Sequence, residues 1–162
     1  MKKVLAVVLA LVLVLSLTAC GGGESLEGSW KLTGYTEDGK DAMDESSGIT
    51  IAKLESKGIY FGLVAKSDKT ATLSIMGDED KMTWDSKTIK SSDGKTSASY
   101  EIKDGVLTIS GESEEGKKQV MTFKKMTEDE KKKFEALTPE DISNVIIEFA
   151  MEALAAQMGG EE

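Results

Sequence analysis

Along residues 28–124 apolar and polar side chains take turns in short runs, and glycine and aspartate cut the runs apart. A period of two belongs to a strand with one buried face. Trp30 and Leu32 alternate with Lys31 and Thr33, and Phe61, Leu63 and Ala65 alternate through residues 59–66. Ala71, Leu73 and Ile75 oppose Thr70, Thr72 and Ser74. Met82 and Trp84, then Ile89, then Ala98, Tyr100 and Ile102, then Leu107 and Ile109, and last Met121 and Phe123 continue the series. Asp93-Gly94 and Asp104-Gly105 are dipeptides that tight hairpin turns favour. Eight strands joined by short connections predict an antiparallel meander, and eight is enough for a sheet to close on itself and lose its exposed edges. The expected fold is therefore mainly β, an up-and-down barrel of about eight strands followed by a helical segment. The inward positions are bulky and favour a filled interior, while Gly34, Ala65, Ala71 and Ala98 would leave space near one end, within reach of the Tyr100 hydroxyl.

Two stretches depart from this period. Residues 48–57 suit a short helix capped by Ser47 and leading into the next strand, although Ile49 and Ile51 also alternate. After Phe123 the apolar spacing becomes three and four. Thr127 with Glu130 is a capping box ahead of Phe134 and Leu137. Thr138-Pro139-Glu140-Asp141 opens a second helix, along which Ile142, Val145, Ile146, Phe149, Ala153 and Ala156 form one face, and Gly159-Gly160 ends it. That face packs either on its own barrel or on a partner protein.

The first twenty residues follow another logic. Lys2 and Lys3 precede an unbroken apolar run from Val4 to Leu15, and Leu17-Thr18-Ala19 lead to Cys20, the only cysteine. The run is shorter than the roughly 20 apolar residues of a membrane span and matches a signal peptide's core. This segment resembles a bacterial lipoprotein signal peptide with its lipobox. The resemblance implies cleavage before Cys20, a diacylglycerol thioether on its sulfur, and an extracytoplasmic protein held to the cell membrane by its N-terminal lipid. Gly21-Gly22-Gly23-Glu24-Ser25 reads as a flexible tether. The chain thus divides into a signal peptide (1–19), a lipidated cysteine with tether (20–27), a barrel (28–126) and C-terminal helices (127–158).

Composition narrows the chemistry. The net charge is −9, every basic residue is lysine, and histidine is absent. Nucleic acid would be repelled, and no basic stripe interleaved with aromatic residues offers it a path. Anionic membranes should repel the chain as well, which leaves its attachment to the lipid. Serine and cysteine catalysis through histidine, Cys/His zinc sites and histidine-ligated haem all need residues the chain lacks. Asp78-Glu79-Asp80 lacks the ligand spacing of a calcium loop and reads as a solvated hairpin tip. Gly94-Lys95-Thr96 imitates the end of a phosphate loop, but Ile89 stands where its first glycine belongs. Glu112, Glu114 and Glu115 read as a charged turn. No metal, cofactor or catalytic residue is expected, and the chain is not expected to be an enzyme.

Gly28-Ser29-Trp30 at the start of the first strand matches the Gly-x-Trp signature of lipocalin and calycin barrels. Together with the strand count, the Trp84 hairpin, the closing strand over 120–124 and the C-terminal helix, it resembles the small lipocalin-like lipoproteins of bacteria. In that family the tryptophan packs at the closed end of the barrel beneath an arginine from the last strand; here only Lys124 or Lys125 could supply the cation. The resemblance also implies a ligand cavity in the barrel mouth, for which Phe61, Trp84 and Tyr100 are the candidate contacts. The expected function is non-catalytic binding of a small apolar or amphiphilic ligand. The alternative is an envelope structural or interaction protein with a filled barrel, contacting a partner through the C-terminal helix or the acidic loops.

Overall fold

The computed structural model describes residues 25–43, 49–113 and 115–158. The signal peptide and Cys20, Ser47 and Gly48, Glu114, and Gly159-Gly160 lie outside them. Among the described residues nine strands form: β1 (Gly28–Glu37), β2 (Lys40–Asp41), β3 (Gly62–Ala65), β4 (Thr70–Ile75), β5 (Asp78–Trp84), β6 (Thr88–Ser91), β7 (Ser97–Lys103), β8 (Val106–Glu112) and β9 (Lys118–Lys125). The two-residue β2 only doubles back on the end of β1. The other eight pair in chain order, every pairing is antiparallel, and β9 returns to pair with β1. The result is a closed eight-stranded antiparallel barrel, compatible with a lipocalin-like fold.

Alternation decides which side chains enter the barrel. Trp30 faces Leu63 across β1 and β3, Leu63 faces Leu73, and Leu107 faces Phe123, so the inward sets of adjacent strands meet in layers. Asp104 and Gly105 both take positive φ in the β7–β8 turn, as a two-residue hairpin demands. The β4–β5 turn is different from its expected form. Met76 and Gly77 make it, both at positive φ, and Asp78, Glu79 and Asp80 stand inside β5 instead of at the tip. The glycine supplied the turn chemistry, and the acidic trio, exposed throughout, is tolerated on a strand because water reaches it.

Among the described residues three helices lie outside the barrel, two of them against β1 and β3 and the third against the first. α1 (Ile51–Ser56) is the short helix expected between them, capped by the Thr50 hydroxyl. α2 (Glu128–Ala136) opens on the capping box of Thr127 and Glu130, and α3 (Pro139–Met158) on Thr138, whose hydroxyl accepts from the Asp141 N–H. Outward-facing Lys31 bridges Glu55 of α1 at 3.0 Å and Glu130 of α2 at 2.9 Å. Gly62 lets this layer sit close: a Cβ there would lie 2.5 Å from the Trp30 carbonyl oxygen and 2.6 Å from the Met126 methyl. The inner face of α3 buries Ile142 and Phe149, whereas Ile147, Met151 and Leu154 on its other face are exposed.

Candidate binding site

Register sorts the strand termini into two ends. At one end β1 begins, with Gly28 opposite Ala65 and Trp30 opposite Lys125; at the other it finishes, with Glu37 opposite Gln119. The first end is solid. Leu26, Trp30, Leu63, Leu107 and Phe123 have 0% of their surface exposed, and the Trp30 indole N–H donates to the Leu26 carbonyl at 2.7 Å. Lys125 Nζ stands 5.2 Å from the Trp30 ring centroid. A lysine thus occupies the place that the resemblance gives to arginine.

The second end is hollow. A cavity of about 340 Å³ opens there, walled by Leu73, Met82, Ile89, Ala98, Ile109 and Met121, with Ser91 and Gln119 adding polar groups. It exists because Ala98 and Gly111 face each other across β7 and β8, where a Cβ on Gly111 would come within 3.1 Å of the Ala98 Cβ. Two small residues withdraw the bulk that fills the lower layers. The volume suits the smaller ligand pockets, and two thioether side chains let the wall adapt to shape.

One wall of this mouth is polar, for a reason the alternation hides. Leu32 faces Phe123 and Gly34 faces Thr122, so two residues of β1 oppose one of β9 in a bulge. The extra residue exchanges the faces of β1. Gly34, expected inward, pairs with outward Thr122, while Tyr35 and Glu37 share the faces of Met121 and Gln119. Gln119 Nε2 donates to the Tyr35 hydroxyl at 2.7 Å and to Glu37 Oε2 at 3.3 Å, and Lys117 Nζ bridges Glu37 Oε1 at 2.7 Å. The Lys117 ammonium, with the Gln119 amide second, holds the Glu37 carboxyl below its ordinary range. Burial, and then the Glu37 charge, pushes the Tyr35 phenol up. Asp78 and Asp80, on the same face of β5 as Met82, are exposed and do not line the cavity, whereas Lys90 and Glu112 do. An isolated glycine within a strand pattern is the signal that could have revealed this network.

The residues expected to touch a ligand lie elsewhere. Trp84 is buried near the solid end, where its N–H donates to the Thr70 carbonyl at 3.2 Å and Lys69 Nζ sits 3.6 Å from its ring centroid. The Tyr100 hydroxyl, expected to face free space, donates to the Asp85 carbonyl. Phe61 is buried beneath the helices beside a separate cleft of about 270 Å³, shared with Phe134, Leu137 and Ile142. None of the three lines the mouth cavity. Gly28 and Trp30 occupy the solid end. Among the described residues no three His, Cys, Asp or Glu side chains gather as metal ligands, and no helix is long and apolar enough to cross a membrane.

A comparison of the chain with protein-family models, curated sequences and solved structures finds no match to any of them.

Proposed function

We propose that this is an extracytoplasmic lipoprotein, anchored through lipid on Cys20, whose lipocalin-like barrel binds a small apolar or amphiphilic ligand without transforming it. The observation that carries the reading is the apolar cavity of about 340 Å³ at one end of an otherwise filled barrel. The apolar wall faces water through the open mouth, and an apolar ligand seated there would take that surface out of water. The rim sharpens the ligand class. Ser91, Gln119 and one charge of each sign, Lys90 and Glu112, join the apolar wall, so a polar but uncharged head group suits the mouth.

Titration with the uncharged fluorophore N-phenyl-1-naphthylamine tests the reading. Saturable enhancement at one site per chain is expected, with at least a tenfold loss of affinity in Ala98→Leu, whose longer side chain fills the cavity. Circular dichroism of the variant establishes that the barrel remains. No saturable enhancement, or equal enhancement in wild type and variant, overturns the proposal.

A further inference from the structure

The cavity wall carries few polar side chains, and most of them choose no particular ligand. Lys90 and Glu112 are exposed to water. The hydroxyls of Thr96, Ser97 and Ser113 rotate, and so donate or accept as a ligand requires. The Ser91 hydroxyl donates to Asp93 Oδ1 at 2.6 Å and accepts the Thr96 N–H at 3.1 Å, so its proton is engaged. Gln119 is different, because its amide is held one way round. Nε2 stands 2.7 Å from the Tyr35 hydroxyl and 3.3 Å from Glu37 Oε2. A carboxylate can only accept, so the amide NH2 must face Glu37; the opposite orientation would set the amide oxygen against a carboxylate oxygen. The carboxylate is itself fixed, since its other oxygen takes a 2.7 Å bond from Lys117 Nζ. Both Nε2 hydrogens thus have acceptors, and Oε1 is the polar atom of Gln119 without a partner among the described residues.

Register gives the direction of that oxygen. β9 lies between β1 and β8, with Gln119 opposite Glu37 on one side and opposite Gly111 on the other. The NH2 group leans toward β1, so the oxygen, which diverges from it in the amide plane, leans toward β8. Gly111 has no side chain to meet it there, and the space it leaves belongs to the cavity. We infer that Gln119 Oε1 is a hydrogen-bond acceptor aimed into the mouth cavity, and that it selects ligands whose uncharged head group donates, such as an alcohol, over those whose head group only accepts, such as an ether. Glu37 is a positioning residue: it does not line the cavity, and it sets which end of the Gln119 amide does. The mouth is open, so water can stand in for a missing donor, and the discrimination is that of one net hydrogen bond, about fivefold. Transfer out of water alone gives no such preference, because the hydroxyl is the more strongly hydrated group. This inference deepens the binding reading proposed above and rests on it, and the experiment separates the two.

The isomers 1-octanol and 1-methoxyheptane share a molecular formula and differ in whether the oxygen carries a hydrogen to donate. Each is titrated against the full chain with N-phenyl-1-naphthylamine bound, and the ratio of the two displacing concentrations is read. In wild type the alcohol is expected to displace the probe at about fivefold lower concentration than the ether. Gln119→Leu removes the acceptor and Glu37→Leu frees the amide to turn, so in each the ratio should fall below about twofold, with circular dichroism reporting that the barrel is intact. The wild-type ratio carries the test by itself where a variant does not fold. A wild-type ratio near one, or a ratio that survives in either folded variant, overturns the inference. If the probe binds and neither isomer displaces it, the inference falls and the binding reading stands; if the probe does not bind, both fall.

Discussion

The two ends of this barrel are built from the same eight strands and differ in what each layer places opposite what. At the solid end tryptophan, phenylalanine and leucine meet across the strands, and five side chains are sealed from water. At the hollow end Ala98 meets Gly111, and a bulge turns Tyr35 and Glu37 inward. The ladder differs too, since β1 pairs with β3 only from Gly28 to Lys31, at the solid end, and the bulge interrupts its pairing with β9 beyond Leu32. The lesson is a division of labour by residue volume: the filled layers stabilise the fold, and the layer that lacks bulk is free to bind.

The strongest test of that division is a pair of truncations. Trp30→Ala should cost about 3–5 kcal/mol by urea denaturation, because it empties a fully enclosed site. Met121→Ala should cost about 1–2 kcal/mol, since its side chain already borders open space. Equal losses would mean that the hollow end is as tightly packed as the solid one.

A smaller effect is expected from the cation above the buried indole. Lys125→Gln should lower stability by about 0.5–1 kcal/mol through the lost contact with the Trp30 ring. Lys118→Gln at the other end, where no ring lies beneath the lysine among the described contacts, should change the urea midpoint by less than that. If both substitutions act alike, the lysine does not stand in for the missing arginine.

The smallest effect is set by pH. The backbone N–H of Lys87, followed by the Thr88 hydroxyl and N–H, lowers the Asp85 carboxyl from its ordinary 3.8 to about 2. Because the folded value lies below the unfolded one, this contribution is complete above about pH 4 and is lost as the pH falls from about 4 to about 2. Urea midpoints of wild type and Asp85→Asn should therefore differ at pH 6 and converge by pH 2. A gap that stays constant over this range would show that the carboxylate does not hold the β5–β6 turn.

Much of the barrel is legible in the alternation. Thr70, Thr72 and Ser74 against Ala71, Leu73 and Ile75 marks β4, Asp104-Gly105 makes its turn, and the hydroxyls of Thr127 and Thr138 cap the two C-terminal helices. The candidate site was legible only in part. Ala98 stood out as a place where space could open, but its partner Gly111 did not, because a glycine in a strand says nothing by itself about the residue across from it. Trp84 and Tyr100 drew attention as large aromatic side chains, yet their polar atoms are engaged with the carbonyls of Thr70 and Asp85 near the solid end. Aromatic character marks burial more directly than it marks a ligand.

The strands, their buried faces, the helix caps and the limited range of chemistry open to a chain without histidine or arginine all belong to the sequence. They depend on neighbours within a few positions, and such neighbours are always present. The cavity and the Tyr35–Gln119–Glu37 network were decided by closure. Each depends on register between residues far apart in the chain, as with Tyr35 and Gln119, and one bulged residue is enough to exchange the inside of a strand for its outside.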